Sequence, residues 1–377
     1  MTKAQVLISA GEASGEMYAA RLATALGQLA DVQLFGLGGV RMREAGVELL
    51  ADSAEVAVVG ITEAVRRLPS ALRIYRQLTE EAARRRPRLA ILVDFPDFNL
   101  RLARRLHERG VRIIYFISPQ VWAWRSKRVH LIRRLVERVL CIFPFEERFY
   151  REAGVPVDYV GHPLVDQVRA KRSREEFVAR YDLDVSQPIV ALLPGSRPGE
   201  LTHNLPPMLE ACRLLPSNPP CQFALAVAPG MTGGQLTNYA RPDLPVHLVE
   251  GATYDALAAA DVAIVSSGTA TVEAALLGAP MVVVYRVSHA TAMVMRRMVR
   301  TPFFSMVNLI AGKRVVPELI QQDFTPPRLA EEVARLLGTP EAREQMKREL
   351  AEVRSRLGPG GAIDRAAEVI AGILRAN

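Results

Sequence analysis

Short apolar runs alternate with helix-length segments along this chain, and the alternation occurs twice. Residues 6–9, 32–35, 89–93, 113–117 and 139–143 form one set, and residues 188–193, 223–227, 246–249, 262–265 and 281–285 form another. Runs that are largely apolar, and rich in β-branched side chains, read as strands covered on both faces. Helix-length spacers supply the crossovers that parallel strands need. The expected fold class is α/β, with two Rossmann-like, doubly wound parallel-sheet domains facing a cleft. A charged helical stretch through Arg180 separates the two sets, so the boundary is expected near residues 164–185. The domains are read as 1–165 and 166–377, with the C-terminal helix packing back on the first domain or on a partner subunit. At 377 residues, 49% of them hydrophobic, the chain can bury two sizeable cores.

Cys141, Cys212 and Cys221 make no C-x-x-C pair and sit in or beside apolar runs, so they read as small buried hydrophobes in a reducing compartment. The opening apolar run is too brief for a signal peptide and no stretch reaches the length of a membrane span. A cytoplasmic chain is expected. Its formal charge of +8 points to a polyanionic partner, whether nucleic acid, an anionic membrane face or phosphorylated substrates.

Two strand-to-loop junctions carry candidate chemistry. After the run at 262–265 come Ser266, Ser267, Gly268, Thr269, Ala270, Thr271, Val272 and Glu273. A helix opening there aims backbone N–H groups at an anion, and Gly268 lets a phosphate approach the backbone. Glu273, leaning toward the helix start, is within reach of a hydroxyl such as a ribose; as a plain helix start, Ser267 and Thr269 cap it and Glu273 favours its positive end. After the run at 188–193, Pro194-Gly195-Ser196-Arg197-Pro198-Gly199-Glu200 sets a guanidinium at a sheet's carboxyl edge, where open α/β sheets bind ligands. The alternative is a turn with a surface arginine.

Asp94 and Asp97 bracket a proline just past residue 93, again at a carboxyl edge. A carboxylate there can act as a proton acceptor, and Asp97 is the candidate, with a helix-capping loop as its alternative. His162, between Gly161 and Pro163, is the other group considered for this role. No two histidines have ligand spacing, so no metal site is expected. Gly36-Leu37-Gly38-Gly39 lacks the third glycine of a dinucleotide fingerprint at its proper spacing and reads as a tight turn; Asp182-Leu183-Asp184 reads as a solvated turn.

Residues 61–78 mix an apolar face (Ile61, Val65, Leu68, Leu72, Tyr75, Leu78) with Arg66, Arg67, Arg73 and Arg76, as an interfacial helix does. Pro69 is expected to kink it or divide it in two. A core-facing helix with solvated arginines is the alternative. Met293, Met295, Arg296, Arg297, Met298, Arg300, Phe303 and Phe304 repeat the mixture as a candidate lipid contact.

Taken in order, several segments resemble the lipid-A-disaccharide synthases, bacterial glycosyltransferases of the GT-B fold. They are Ala10-Gly11-Glu12-Ala13-Ser14-Gly15-Glu16, Asp94 through Asn99, Ser118 through Trp124, Pro144-Phe145-Glu146, Gly161-His162-Pro163, Pro194 through Arg197, Ser267 through Glu273, and Val316-Pro317-Glu318-Leu319. Glu16 stands where the family usually has aspartate, and Val307 precedes Asn308 where proline is expected. The resemblance implies an inverting transfer of 2,3-diacylglucosamine from its UDP carrier to 2,3-diacylglucosamine 1-phosphate, on a Gram-negative type inner membrane. It implies no cofactor and no nucleic acid. Asp97 then serves as base, with Ser196, Arg197, Ser267, Gly268, Thr269, Glu273, Asn308 and Glu318 on the donor. Ser14, Glu16, Trp124 and Arg125 fall on the acceptor side; Arg125, Lys127 and Arg128 suit an acceptor phosphate, with a solvated basic face as the alternative. A homodimer stays open. So do two other classes, a UDP-sugar epimerase of the same fold and a non-catalytic lipid-binding protein.

Overall fold

The computed structural model describes residues 3–56, 61–123, 127–216, 220–228, 230–237, 239, 244–288, 291–293 and 301–376. The chain divides into two compact units, Met1–Pro163 with Leu357–Asn377, and Leu164–Arg356.

The first unit runs β1 (Ala4–Ala10), α1 (Ala13–Leu29), β2 (Val32–Gly38), α2 (Val40–Glu44), β3 (Glu48–Asp52), α3 (Ile61–Arg85), β4 (Leu89–Val93), α4 (Pro96–His107), β5 (Arg112–Phe116), α5 (Arg128–Leu135), β6 (Arg138–Cys141), α6 (Pro144–Glu152) and β7 (Val157–Tyr159). The second comprises α7 (Leu164–Gln167), α8 (Arg174–Arg180), β8 (Ile189–Leu193), α9 (Pro198–Arg213), β9 (Gln222–Val227), α10 (Gly233–Thr237), β10 (Val246–Glu250), α11 (Thr253–Ala259), β11 (Val262–Ser266), α12 (Thr269–Leu276), β12 (Met281–Tyr285), α13 (Met306–Ala311), β13 (Glu318–Ile320), α14 (Pro326–Gly338) and α15 (Pro340–Arg356). A last helix, α16 (Ala362–Arg375), returns to the first unit and packs on α1.

Both sheets are wholly parallel and wound the same way. Their orders are β3-β2-β1-β4-β5-β6-β7 and β10-β9-β8-β11-β12-β13. In each, the strand order reverses between two central neighbours, β1 with β4 (Val6 beside Leu89) and β8 with β11 (Val190 beside Val262). The loops leaving the carboxyl ends of such a pair diverge and open a crevice where α/β sheets bind ligands. All ten apolar runs are strands, and β4, β8 and β11 are buried at every position. The three cysteines are buried and free, as their apolar surroundings led one to expect.

Three local readings are corrected. Gly36 and Gly38 lie inside β2 and form no tight turn: the register on β3 slips between Gly36 and Leu37, and a Cβ on Gly36, at φ 152°, would come within 2.0 Å of the Ile8 carbonyl oxygen. Pro69 does not divide the segment in two: it lies inside one helix, α3. Leu78 is not on an exposed face of that helix: it is fully buried with Ile74 in the core of the first unit, where Tyr75 is half-buried against the same cluster, while Leu68 and Leu72 are 49% and 46% exposed. No helix among the described residues is long and apolar enough to cross a membrane.

Candidate active site

At the β1/β4 reversal the chain leaves β4 through two consecutive residues of positive φ, Asp94 at 47° and Phe95 at 50°. Non-glycine residues there are strained, and such strain persists only where the surroundings enforce it. The enforcing contacts are visible. Buried Asn99 donates through Nδ2 to the carbonyl oxygens of Ser9 (3.3 Å), Val93 (3.2 Å) and Asp94 (2.8 Å), and accepts from Ser9 Oγ at 2.7 Å. Tyr115 OH donates to the Asp94 carbonyl at 2.7 Å. The Phe95 ring lies against Gly11, where a Cβ would meet it at 2.2 Å, so only glycine fits. Pro96 and Asp97 then open α4, leaving the Asp97 carboxylate mostly solvent-facing and 2.5 Å from Arg128 Nη2.

The loop after β5 reaches this edge too. Trp122 Nε1 donates at 3.0 Å to Glu146, which is fully buried and also accepts from Ile142 N (3.3 Å) and Phe143 N (3.2 Å). Burial outweighs these hydrogen bonds and lifts the Glu146 carboxyl to about 7. His162 does not sit at the edge as a base. It is interior, its ring 5.0 Å from that of Phe143, and burial pushes its imidazole down to about 3, far too weak to take a proton near neutrality. Its motif serves the chain path instead: His162 N donates to Leu357 O at 2.8 Å, and Gly161, at φ 84°, leaves room for Arg365 of α16.

Ser14 is exposed in the first turn of α1. Glu16 turns toward α2, accepting from Arg41 N at 2.9 Å beside Gly39, whose missing side chain makes room for the carboxylate. That engagement gives Glu16 a structural post. Trp124 and Arg125 lie outside the described residues.

In the second unit the β8/β11 reversal is built on the same device with the partners exchanged. Buried Asn204, from the helix after β8, donates to Pro194 O (3.0 Å) and to Ser266 Oγ on β11 (3.1 Å), and accepts from Arg286 N (3.0 Å). Glu200, at the third position of α9, folds back to accept from Ser196 N (2.9 Å) and Arg197 N (3.3 Å), close against Gly195, whose φ of 121° suits glycine alone. The turn therefore presents Ser196 and Arg197 outward, with the Arg197 side chain 63% exposed and 3.7 Å from Glu200.

Across the reversal, Gly268 precedes α12 with φ 147° and open space where a side chain would stand. The exposed start at Gly268 and Thr269 offers helix-end N–H groups, whose partners must come from outside the helix. Glu273 lies one turn in, accepts from Tyr254 OH at 2.9 Å, and has its carboxyl raised by burial.

Asn308 and Glu318 brace a loop beside this reversal. All four hydrogen-bonding positions of Asn308 are filled internally: Oδ1 accepts from Val315 N and Val316 N, and Nδ2 donates to Val316 O and Glu318 Oε1. Glu318 also accepts from Phe304 N and Ser305 N, at 3.0 and 2.8 Å. Together they hold the loop whose Phe304 carbonyl accepts from Ser267 Oγ at 2.9 Å. The start of α13 at Met306 and Val307 is held by Ser305 Oγ, which accepts from Asn308 N. Among the described residues no cluster of His, Cys, Asp and Glu could hold a metal ion.

Glu146 and Glu200, whose posts the residue pattern did not reveal, share a signal that would have found both: proline at the first helical position and glutamate at the third, reaching back to the N–H before the helix. Asn204 and Tyr254 carry no such local sign.

The comparisons with known proteins follow this geometry. The family model described as lipid-A-disaccharide synthetase matches residues 6–367. The chain belongs to the lipid-A-disaccharide synthase family. The synthase of Myxococcus xanthus is 49% identical over 98% of this chain and 97% of its own length, and that of Syntrophus aciditrophicus 46% over 97% of each. Among solved structures, UDP-GlcNAc 2-epimerase from Neisseria meningitidis bound to UDP-GlcNAc aligns with TM-score 0.63 at 12% identity over the whole of both chains. MurG of Acinetobacter baumannii aligns with 0.59 at 14% over 98% of this chain and 99% of its own. These two likenesses show the fold, two Rossmann-like units of the GT-B class. Membership of the synthase family makes the chain a UDP-sugar glycosyltransferase of lipid A synthesis.

Proposed function

We propose that this synthase moves 2,3-diacylglucosamine from its UDP carrier to a hydroxyl of 2,3-diacylglucosamine 1-phosphate, releasing UDP and a tetraacyl disaccharide 1-phosphate. The observation that carries the reading is the pairing of chemistries at the two reversals. A carboxylate, Asp97, stands at β1/β4, and an arginine loop with a phosphate-fitting helix start stands at β8/β11. The family's β-1,6 product from an α-linked donor implies inversion, hence a single displacement. The acceptor oxygen bonds to the anomeric carbon, Asp97 takes the hydroxyl proton, and the bond to UDP breaks. Arg197 and the N–H groups of Gly268 and Thr269 answer the charge growing on the leaving diphosphate, the Ser267 N–H being held by the Val284 carbonyl, and Glu273, oriented by Tyr254, binds the ribose. Ser14, Trp124 and Arg125 fall to the acceptor side. Leu68 and Leu72, with the arginines of α3, form the contact with an anionic inner-membrane surface.

Incubation with UDP-diacylglucosamine, with and without the acylated acceptor phosphate, tests the reading. Acceptor-dependent UDP release with disaccharide formation is expected. Isomerised sugar in the absence of acceptor would instead indicate an epimerase, and turnover of neither substrate a binding protein.

A further inference from the structure

Arg128 is a cation whose placement the transfer reaction alone does not explain. It is the first residue of α5, follows exposed Lys127, and holds Asp97 Oδ1 at 2.5 Å with its side chain 27% exposed. An ion pair this open to water contributes about 0–1 kcal/mol, too little for the pair to be a fastening of α5 to α4. The positive end of α5 does not favour two cations, so their charge is answered from outside the helix. The contact also falls on the carboxylate read here as the base. A guanidinium on Oδ1 holds one of the two carboxylate oxygens and offsets the negative charge that draws the hydroxyl proton, so the resting pair opposes the reacting arrangement.

We infer that Arg128 is the specificity-determining residue for the acceptor's phosphate monoester, which draws the guanidinium off Asp97 as the acceptor binds and so releases the base from its ion pair. The inference rests on the function proposed above. A guanidinium presents two parallel N–H groups to two phosphate oxygens, and a monoester dianion carries more charge than the carboxylate it displaces. The exchange ties base availability to the arrival of the correct acceptor. An unphosphorylated sugar leaves Asp97 paired with Arg128, even when its hydroxyl is correctly placed.

The test uses the full-length enzyme at saturating UDP-diacylglucosamine with two acceptors, diacylglucosamine 1-phosphate and its 1-O-methyl analogue. Wild type is expected to favour the phosphate in kcat/KM by on the order of 10- to 100-fold, the worth of one to two hydrogen bonds to a charged group. Arg128→Gln should bring that ratio close to one, and Arg128→Lys, which keeps the charge but not the fork, should leave it well below wild type. A structural role would slow both acceptors alike and leave the ratio unmoved, so an unchanged ratio in either variant overturns the assignment. If Arg128→Gln does not fold, Arg128→Lys decides alone. Failure of wild type to transfer to either acceptor would instead sink the proposed function, a result distinct from an unchanged ratio.

Discussion

Asp97→Asn retains the shape of the β4 edge and removes only the capacity to take a proton. Turnover should collapse while UDP affinity, set in the other unit, stays near wild type; calorimetry beside a rate assay separates the two, and lost UDP affinity with intact chemistry would move Asp97 out of the base role. Arg197→Ala should cost about 2–4 kcal/mol of transition-state stabilisation, read from kcat/KM, with little recovery in Arg197→Lys because lysine lacks the planar fork. Wild-type turnover in a folded Arg197→Ala protein would remove it from the donor site. Both residues were legible because each follows an all-apolar run, and chemistry at the carboxyl end of a buried strand needs no tertiary information to suspect. What shapes their loops was not legible. Asn99 reaches Ser9 across 90 positions and Asn204 reaches Ser266 across 62, and neither partnership leaves a trace in local spacing. Asn308 and Glu318 were visible as family motif residues, yet only the filled hydrogen-bond positions reveal that they hold a loop.

Strands buried at most positions were all legible. The ten runs were readable, the edge strand β10 among them, whereas the edge strands β3, β7 and β13 were not: each is a short segment with a carboxylate among few apolar residues. Helix α3 shows the converse, since its apolar stripe is genuine but serves two masters. Toward its carboxyl end Ile74 and Leu78 point into the core, while Leu68 and Leu72 remain exposed. Periodicity cannot tell these uses apart, because a core and a bilayer both reward the same stripe. The double change Leu68→Ser with Leu72→Ser should leave the melting midpoint within experimental error and weaken binding to anionic vesicles, binding that should itself fade as salt rises. Leu78→Ser should cost about 2–5 kcal/mol, as emptying a core position does. A large loss of stability in the double variant would place that part of α3 against protein.

Across the whole molecule, the chain leaves the first unit after Pro163 and returns at Leu357, and the two crossings are tied by the bond from His162 N to Leu357 O. Helix α16 then closes the unit, with Ala362, Ala366, Ala367 and Ala371 buried and Arg365 donating twice to Val160 O. Two buried titrating groups flank Phe143 beside this junction, and they respond to pH in opposite senses. The His162 imidazole is depressed from 6.5 to about 3, so the unfolded chain gains a proton that the folded chain refuses; this contribution is full above pH 6.5 and lost as pH falls toward 3. The Glu146 carboxyl is raised from 4.5 to about 7, so its contribution is full below pH 4.5 and lost as pH rises toward 7. Each changes by up to about 1.4 kcal/mol per pH unit, so between pH 4.5 and 6.5 their slopes offset and neither shows in the wild-type curve. Single variants uncover them. The melting midpoint of wild type minus that of His162→Asn should shrink as pH falls from 6.5 to 4.5, and Glu146→Gln should gain on wild type as pH rises from 4.5 to 7. Differences that stay flat across that window would mean that both groups are solvated in the folded protein, and that the junction is looser than its hydrogen bonds describe.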